Sequence, residues 1–202
     1  TDYTNNQKEL IKNHVNYIIN FIDYYNETNK NKKSEALIQK EVLEIIEKLR
    51  VNENPNEYIF IYDFNGNLVQ DAIAKKDNIG HNYLNIKDIK GKEVVKELIT
   101  TSKRNLGGYV EYVWLKPEIS KQTTKISYAL SYNKWNWTIG KGVYLDEIDK
   151  LIKEKEEDYN QKISNYTLQI TSLTIMLVLY SIFIYKNATI LIVNDVKEIG
   201  KY

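Results

Sequence analysis

The sequence predicts an α+β fold: two N-terminal helices, a five-stranded, mainly antiparallel sheet with one helical crossover, and an apolar helix after the sheet. Three observations carry this. Apolar residues recur at three- and four-residue steps as far as Leu49. Between residues 58 and 144, β-branched and aromatic runs alternate with turn signals. Residues 166–185 contain no charged side chain.

The first helix is marked by Ile11, Val15, Ile18, Ile22 and Tyr25 on one face, with Leu10 and Ile19 widening the stripe. The polar run 26–33 interrupts it. A second helix follows, with Ser34 as N-cap and Ile38, Val42, Ile45, Ile46 and Leu49 as its buried stripe. Pro55 closes the helical section. Tyr58-Ile-Phe-Ile-Tyr62 then reads as a strand, Asp63-Phe-Asn-Gly66 as a turn and Asn67-Leu-Val69 as the returning strand. Residues 72–89 read mostly as loop, and 92–103 as a short helix with Val94, Val95, Leu98 and Ile99 on its apolar side. Strands are expected at 109–115, 124–132 and 137–144, with a hairpin loop over 117–122.

Residues 146–162 are charged, with Ile148, Leu151, Ile152 and Tyr159 as a helical stripe. They lead into 166–185, whose apolar residues surround the helix instead of forming one face. At about 1.5 Å per residue this stretch matches the ~30 Å apolar core of a bilayer. Tyr166, Tyr180 and Tyr185 include interfacial anchors. Lysines flank the span almost evenly, with Lys150, Lys153, Lys155 and Lys162 before it and Lys186, Lys197 and Lys201 after it, so charge does not set an orientation. The expected organisation is a sensor domain over 1–150, a juxtamembrane helix over 151–165, a transmembrane helix over 166–185 and the start of a cytoplasmic segment over 186–202.

Composition narrows the function. With 28 Lys+Arg against 27 Asp+Glu, the formal net charge is +1, which gives no electrostatic footprint for nucleic acid. The absence of cysteine excludes a disulfide framework, thiolate metal sites and a Cys nucleophile. His14 and His81 are too few for a multi-His metal site. There is no Gly-rich phosphate loop, no HExxH and no Gly-x-Ser-x-Gly, so neither a catalytic set nor a cofactor is expected. The 17 tyrosines and 3 tryptophans against 4 phenylalanines suit strands lining a semi-polar pocket, although a codon bias produces the same excess. The chain starts at Thr1 without a signal-peptide pattern and reads as a fragment or a processed product.

Five segments in series carry a resemblance. Tyr58-Ile-Phe-Ile-Tyr-Asp-Phe-Asn-Gly66 resembles the opening hairpin of single Cache domains. Gly80-His-Asn-Tyr-Leu84 is similar to that family's segment after the hairpin. Gly107-Gly-Tyr-Val-Glu-Tyr-Val-Trp-Leu-Lys-Pro117 resembles its third strand, Lys125-Ile-Ser-Tyr128 its fourth, and Trp135-Asn-Trp-Thr-Ile-Gly-Lys-Gly-Val-Tyr144 its fifth. The resemblance implies a PAS-like sheet with a long N-terminal helix on one face and a ligand pocket on the other. It also implies an extracytoplasmic sensor in the bacterial inner membrane, binding small metabolites, often short carboxylates. Such domains feed histidine kinases, chemoreceptors or diguanylate cyclases, among which nothing here chooses.

Alternation along the strands places Tyr58, Phe60 and Tyr62 on one face, and Tyr112 with Trp114 on one face of the strand expected to neighbour it. Gly140 and Gly142 share a face with Tyr144 and are expected to leave room there. The expected ligand-binding residues are Phe60, Tyr62, Asp71, Tyr112, Trp114, Lys125, Ser127 and Tyr144. A lysine in an apolar strand loses hydration unless paired, so a ligand carboxylate is its natural partner; snorkelling to the surface is the alternative. Asp71 stands where the family often has a histidine. Facing inward, it implies a ligand with an amine or amide, such as an amino acid; facing outward, the slightly favoured reading, it is a turn residue. His81 reads as a solvated loop histidine. The partners expected are a small-molecule ligand, the membrane and a second copy of the chain. A competing reading makes the aromatics filled core and the domain a structural or dimerisation module.

Overall fold

A computed structural model describes residues 2–48, 56, 58–71 and 78–199. It divides into two compact units, residues 1–151 and 152–202. The expected positions Leu49 and Pro55, and residues 72–77 of the expected loop, lie outside the described residues.

In the first unit, helix α1 (Asp2–Asn29) buries Ile11, Val15 and Ile22. Leu10, expected to widen this stripe, is half exposed. It sits one residue off the buried face, and a 100° step turns it to the far side. Helix α2 (Glu35–Lys48) buries Ile38, Val42 and Ile46. Ser34 caps it: its Oγ accepts the Leu37 N–H at 3.4 Å and its carbonyl accepts that of Ile38 at 3.0 Å.

Strands β1 (Ile59–Asp63), β2 (Leu68–Asp71), β3 (Gly108–Lys116), β4 (Lys121–Tyr132) and β5 (Trp137–Tyr144) form one antiparallel sheet in the order β2-β1-β5-β4-β3. The β1–β2 turn forms because the Asp63 carboxylate accepts the N–H groups of Asn65 and Asn67 at 2.9 and 2.8 Å, while Gly66 takes a φ of +89°. Strand β4 starts three residues earlier than the alternation predicts. The tight turn at Pro117–Ser120 lets Lys121 pair with Lys116. Helix α3 (Val94–Ser102) supplies the crossover between β2 and β3.

The two faces of the sheet carry different cover. Helix α1 packs against β4 and β5 on the face of Ile126, Tyr128, Tyr132, Ile139, Lys141 and Val143. Polar anchors fix it there: the Tyr109 hydroxyl donates to Lys8 O at 2.9 Å, that of Tyr132 to Asp23 at 3.1 Å, and Lys141 Nζ meets His14 Nδ1 at 2.9 Å. Helix α3 covers the other face. Val94, Val95, Leu98 and Ile99 form one core cluster with Tyr58, Phe60, Tyr62, Leu68, Val110, Tyr112 and Ala129. Burying side chains of this size contributes about 1.5–3 kcal/mol each.

Helix α4 runs unbroken over Leu145–Ile199, and its first turns belong to the first unit. Within the second unit it has a stretch long and apolar enough to cross a membrane. Leu168, Ile170, Leu173, Met176, Leu179 and Phe183 are all exposed there, an apolar surface on every side that fits lipid better than a one-sided protein contact.

Candidate functional site

Register assembles the site. On β3–β4, Tyr112 pairs with Lys125, Val110 with Ser127 and Trp114 with Thr123. On β4–β5, Lys125 pairs with Tyr144, Ser127 with Gly142 and Ala129 with Gly140. On β5–β1, Gly140 pairs with Phe60 and Thr138 with Tyr62. Directly paired residues share a face. Phe60, Tyr62, Tyr112, Trp114, Lys125, Ser127 and Tyr144 therefore all lie on the face covered by α3.

Asp71 joins them. Strand β2 holds an extra residue, Val69, because Tyr62 pairs with Leu68 whereas Ile61 pairs with Gln70. Beyond this bulge Gln70 bonds toward α2, its amide donating to Leu43 O at 3.5 Å, and Asp71 pairs with Phe60. The favoured outward reading of Asp71 is corrected: it stands half-buried on the site face. Its charge opposes ionisation of Tyr58, Tyr62, Tyr112 and Tyr144, adding to burial, which is the larger cause in each.

Lys125 is the centre of the arrangement. It has no exposed surface, and its Nζ has no hydrogen-bond partner among the described residues. The ammonium stands over the rings of Tyr58 at 3.8 Å, Tyr144 at 5.0 Å and Phe60 at 5.8 Å, so three aromatic faces replace water. They do not replace it fully: burial brings the Lys125 pKa down to about 7, against the raising effects of Asp71 and Glu147. The lysine does not snorkel. Its neighbours are satisfied. The Tyr112 and Ser127 hydroxyls lie 2.8 Å apart, and the Tyr144 hydroxyl, whose pKa burial pushes to about 12, donates to Leu115 O at 2.7 Å.

The glycines do not leave open space, and that expectation is corrected. A Cβ on Gly140 would collide with the Phe60 ring, and one on Gly142 would meet Ser127 Oγ and come within 2.6 Å of Lys125 Cε. Phe60 and the Lys125 stem occupy what the glycines vacate. The remaining cavity, lined by Tyr58, Phe60, Tyr62, Val94, Leu98, Tyr112 and Trp114, measures about 10 Å³, room for about one water. Sequence reasoning left Val94 and Leu98 out of the site because α3 reads as an ordinary amphipathic helix. His81, by contrast, is exposed in the loop after β2.

A PAS-like five-stranded sheet with a long N-terminal helix on one face, and a shorter helix over a lysine set among aromatics on the other, is the architecture of a sensor-type domain. Residues 3–158 match the family model for Single Cache domain 2, and the chain belongs to that family. It is similar to the sensor histidine kinase MctS of Rhizobium johnstonii, 40% identical over 91 residues, 45% of this chain and 19% of that protein. It is also similar to the methyl-accepting chemotaxis protein McpP of Pseudomonas putida, 29% identical over 116 residues, 57% of this chain and 21% of that protein. The matches thus span about a fifth of these relatives' length. Among solved structures, a methyl-accepting chemotaxis protein from Vibrio parahaemolyticus is 27% identical with a TM-score of 0.55, covering 73% of this chain and 99% of that one. A Cache chemosensory domain described for carboxylic acid recognition is 25% identical with a TM-score of 0.58, covering 70% of this chain and 92% of that one.

Proposed function

We propose that the chain is the extracytoplasmic small-molecule sensor of a bacterial inner-membrane receptor, and that its ligand is a short carboxylate held by Lys125. The carrying observation is the fully buried Lys125 ammonium without a hydrogen-bond partner among the described residues. A buried cation without an acceptor is costly, and a carboxylate supplies both the charge and the hydrogen bonds that three aromatic rings cannot. Phe60, Tyr62, Tyr112 and Trp114 wall the ligand, Ser127 and Tyr144 offer hydroxyls, and Asp71 faces a ligand amine or hydroxyl where one is present. The carboxylic acid recognition named for the similar Cache domain supports the same class. The apolar stretch of α4 spans the membrane and leads to a cytoplasmic output domain of the full-length receptor.

The receptor works as a homodimer in this reading. Leu10, Tyr17 and Tyr24 recur every seven residues on α1 and are 50%, 69% and 72% exposed. Asn6, Asn13 and Asn20 follow the same period and are exposed as well. Exposed apolar residues at one position of each heptad form a stripe that a second copy of the helix can cover.

The 10 Å³ cavity favours a second reading, in which the aromatics are filled core and the domain only dimerises. Calorimetric titration of the lipid-reconstituted chain with acetate, propionate, lactate, glycine and alanine separates the two. Saturable heat and a raised Tm with a carboxylate support the sensor, since a ligand that binds only the folded state stabilises it. Silence from all five at tens of millimolar leaves the structural module standing.

A further inference from the structure

The pocket lysine has a counterpart at the end of β3, paired with the first turn of α4, and one ring lies between the two lysines. Tyr144 is the last residue of β5, and α4 begins at Leu145. Its side chain is fully buried. Lys125 Nζ stands 5.0 Å from the ring centroid, and Lys116 Nζ, at the end of β3, stands 5.6 Å from it. Lys116 is itself buried. It donates to Asp146 Oδ2 at 2.9 Å and pairs with Glu147 Oε1 at 3.2 Å, both in the first turn of α4. The buried Asn56 amide donates to the same Glu147 oxygen at 2.5 Å and to Glu118 at 2.8 Å. The Tyr144 hydroxyl donates to the carbonyl of Leu115, the residue beside Lys116, and is itself bonded by the Tyr58 hydroxyl, whose ring Lys125 caps.

We infer that Tyr144 couples the charge on Lys125 to the first turn of α4, through Lys116 and its carboxylates. Two cations share one aromatic quadrupole, and its attraction is finite. When Lys125 is charged and rests on the rings, it competes with Lys116 for the Tyr144 face. When Lys125 turns to an anion or loses its proton, Lys116 holds that ring alone, and its pull on Asp146 and Glu147 changes. The packed cluster then has two arrangements that differ in how tightly the first turn of α4 is held. This builds on the placement of Lys125 as the ligand's cation but needs no ligand to be tested.

The experiment is amide hydrogen exchange read by mass spectrometry on the full chain in lipid nanodiscs. Lys125→Met removes the charge and leaves a stem of similar length in an apolar cage, a change that buried sites tolerate well. Exchange over residues 145–151 should shift at least threefold between wild type and K125M. The shift should shrink to less than half in a Lys116→Met background. It should persist in a Tyr144→Phe background, which keeps the ring, and shrink again in a Tyr144→Leu background, which removes it. If K125M changes exchange over 145–151 by the same factor in the wild-type, K116M and Y144L backgrounds, or leaves it at the wild-type rate, the coupling is wrong. Because no metabolite enters this test, failure of carboxylate binding leaves its outcome unaffected, and the converse holds.

Discussion

Both faces of the sheet bury a lysine, and they treat it differently. On the α1 face, Lys141 Nζ meets His14 Nδ1 at 2.9 Å, so a helix supplies an acceptor for the cation. On the α3 face, Lys125 has aromatic rings and, among the described residues, no acceptor. The first arrangement closes a protein interface. The second leaves the Lys125 ammonium without a hydrogen-bond partner among the described residues. Both lysines sit in apolar strands, and on the proposed reading it is the one without an acceptor that receives a ligand.

The largest test of this difference is charge removal. Lys125→Met should weaken carboxylate binding about a hundredfold, or ~3 kcal/mol, while the ligand-free chain becomes no less stable. Calorimetric titration and urea melts read the two effects. Equal carboxylate affinity in K125M and wild type would end the distinction between the faces.

A second test fills the space that Phe60 uses. Gly140→Ala sets a methyl group against that ring and should destabilise the fold by ~1–3 kcal/mol through overpacking. Chemical denaturation reads it directly. A neutral G140A would mean that the ring shifts freely and the site is looser than it stands.

The third test is pH. The folded Lys125 pKa is about 7 against an ordinary 10.5, so the folded chain sheds this proton first. Below pH 7 both states are charged and the burial cost is felt in full. From 7 towards 10.5 the unfolded state binds more protons, so this group makes stability rise with pH, by up to ~1.4 kcal/mol per unit. The rise should appear in wild type relative to K125M, whose difference isolates the group. Carboxylate affinity should fall across the same window as the cation is lost. A flat difference curve between pH 7 and 9 would show that Lys125 stays charged.

The smallest expected effect lies on the opposite face. His14→Ala removes one acceptor from Lys141 and should cost ~1 kcal/mol of stability, with carboxylate affinity unchanged. If H14A alters ligand affinity as strongly as K125M does, the two faces act as one site.

Much of this arrangement was legible in the sequence, because strand alternation is strict. The strand Trp137–Tyr144 and the same-face sets within each strand, Phe60 with Tyr62, Tyr112 with Trp114 and Lys125 with Ser127, follow from counting by twos, while their meeting on one face follows from register. What could not be read depends on pairing or on distant partners. Whether Gly140 left a hole depended on where the Phe60 ring fell, which one strand's sequence does not contain. The grip of Lys116 on Asp146 and Glu147 joins residues thirty positions apart and has no local signature. The Lys141–His14 contact spans 127 positions, and each residue alone reads as a surface group.

The extra residue in β2 has a consequence of its own. Val69 shifts the parity of everything after it, so Asp71 rather than Gln70 meets the site. Relaxing the bulge into regular pairing, with Val69 opposite Ile61, would exchange a carboxylate for an amide at this face without changing any letter of the strand. On the proposed reading, the ligand charge this domain accepts is therefore open to change by a one-residue slip of pairing as well as by substitution. The same strand paired without its bulge would present a different charge to a ligand on the same scaffold.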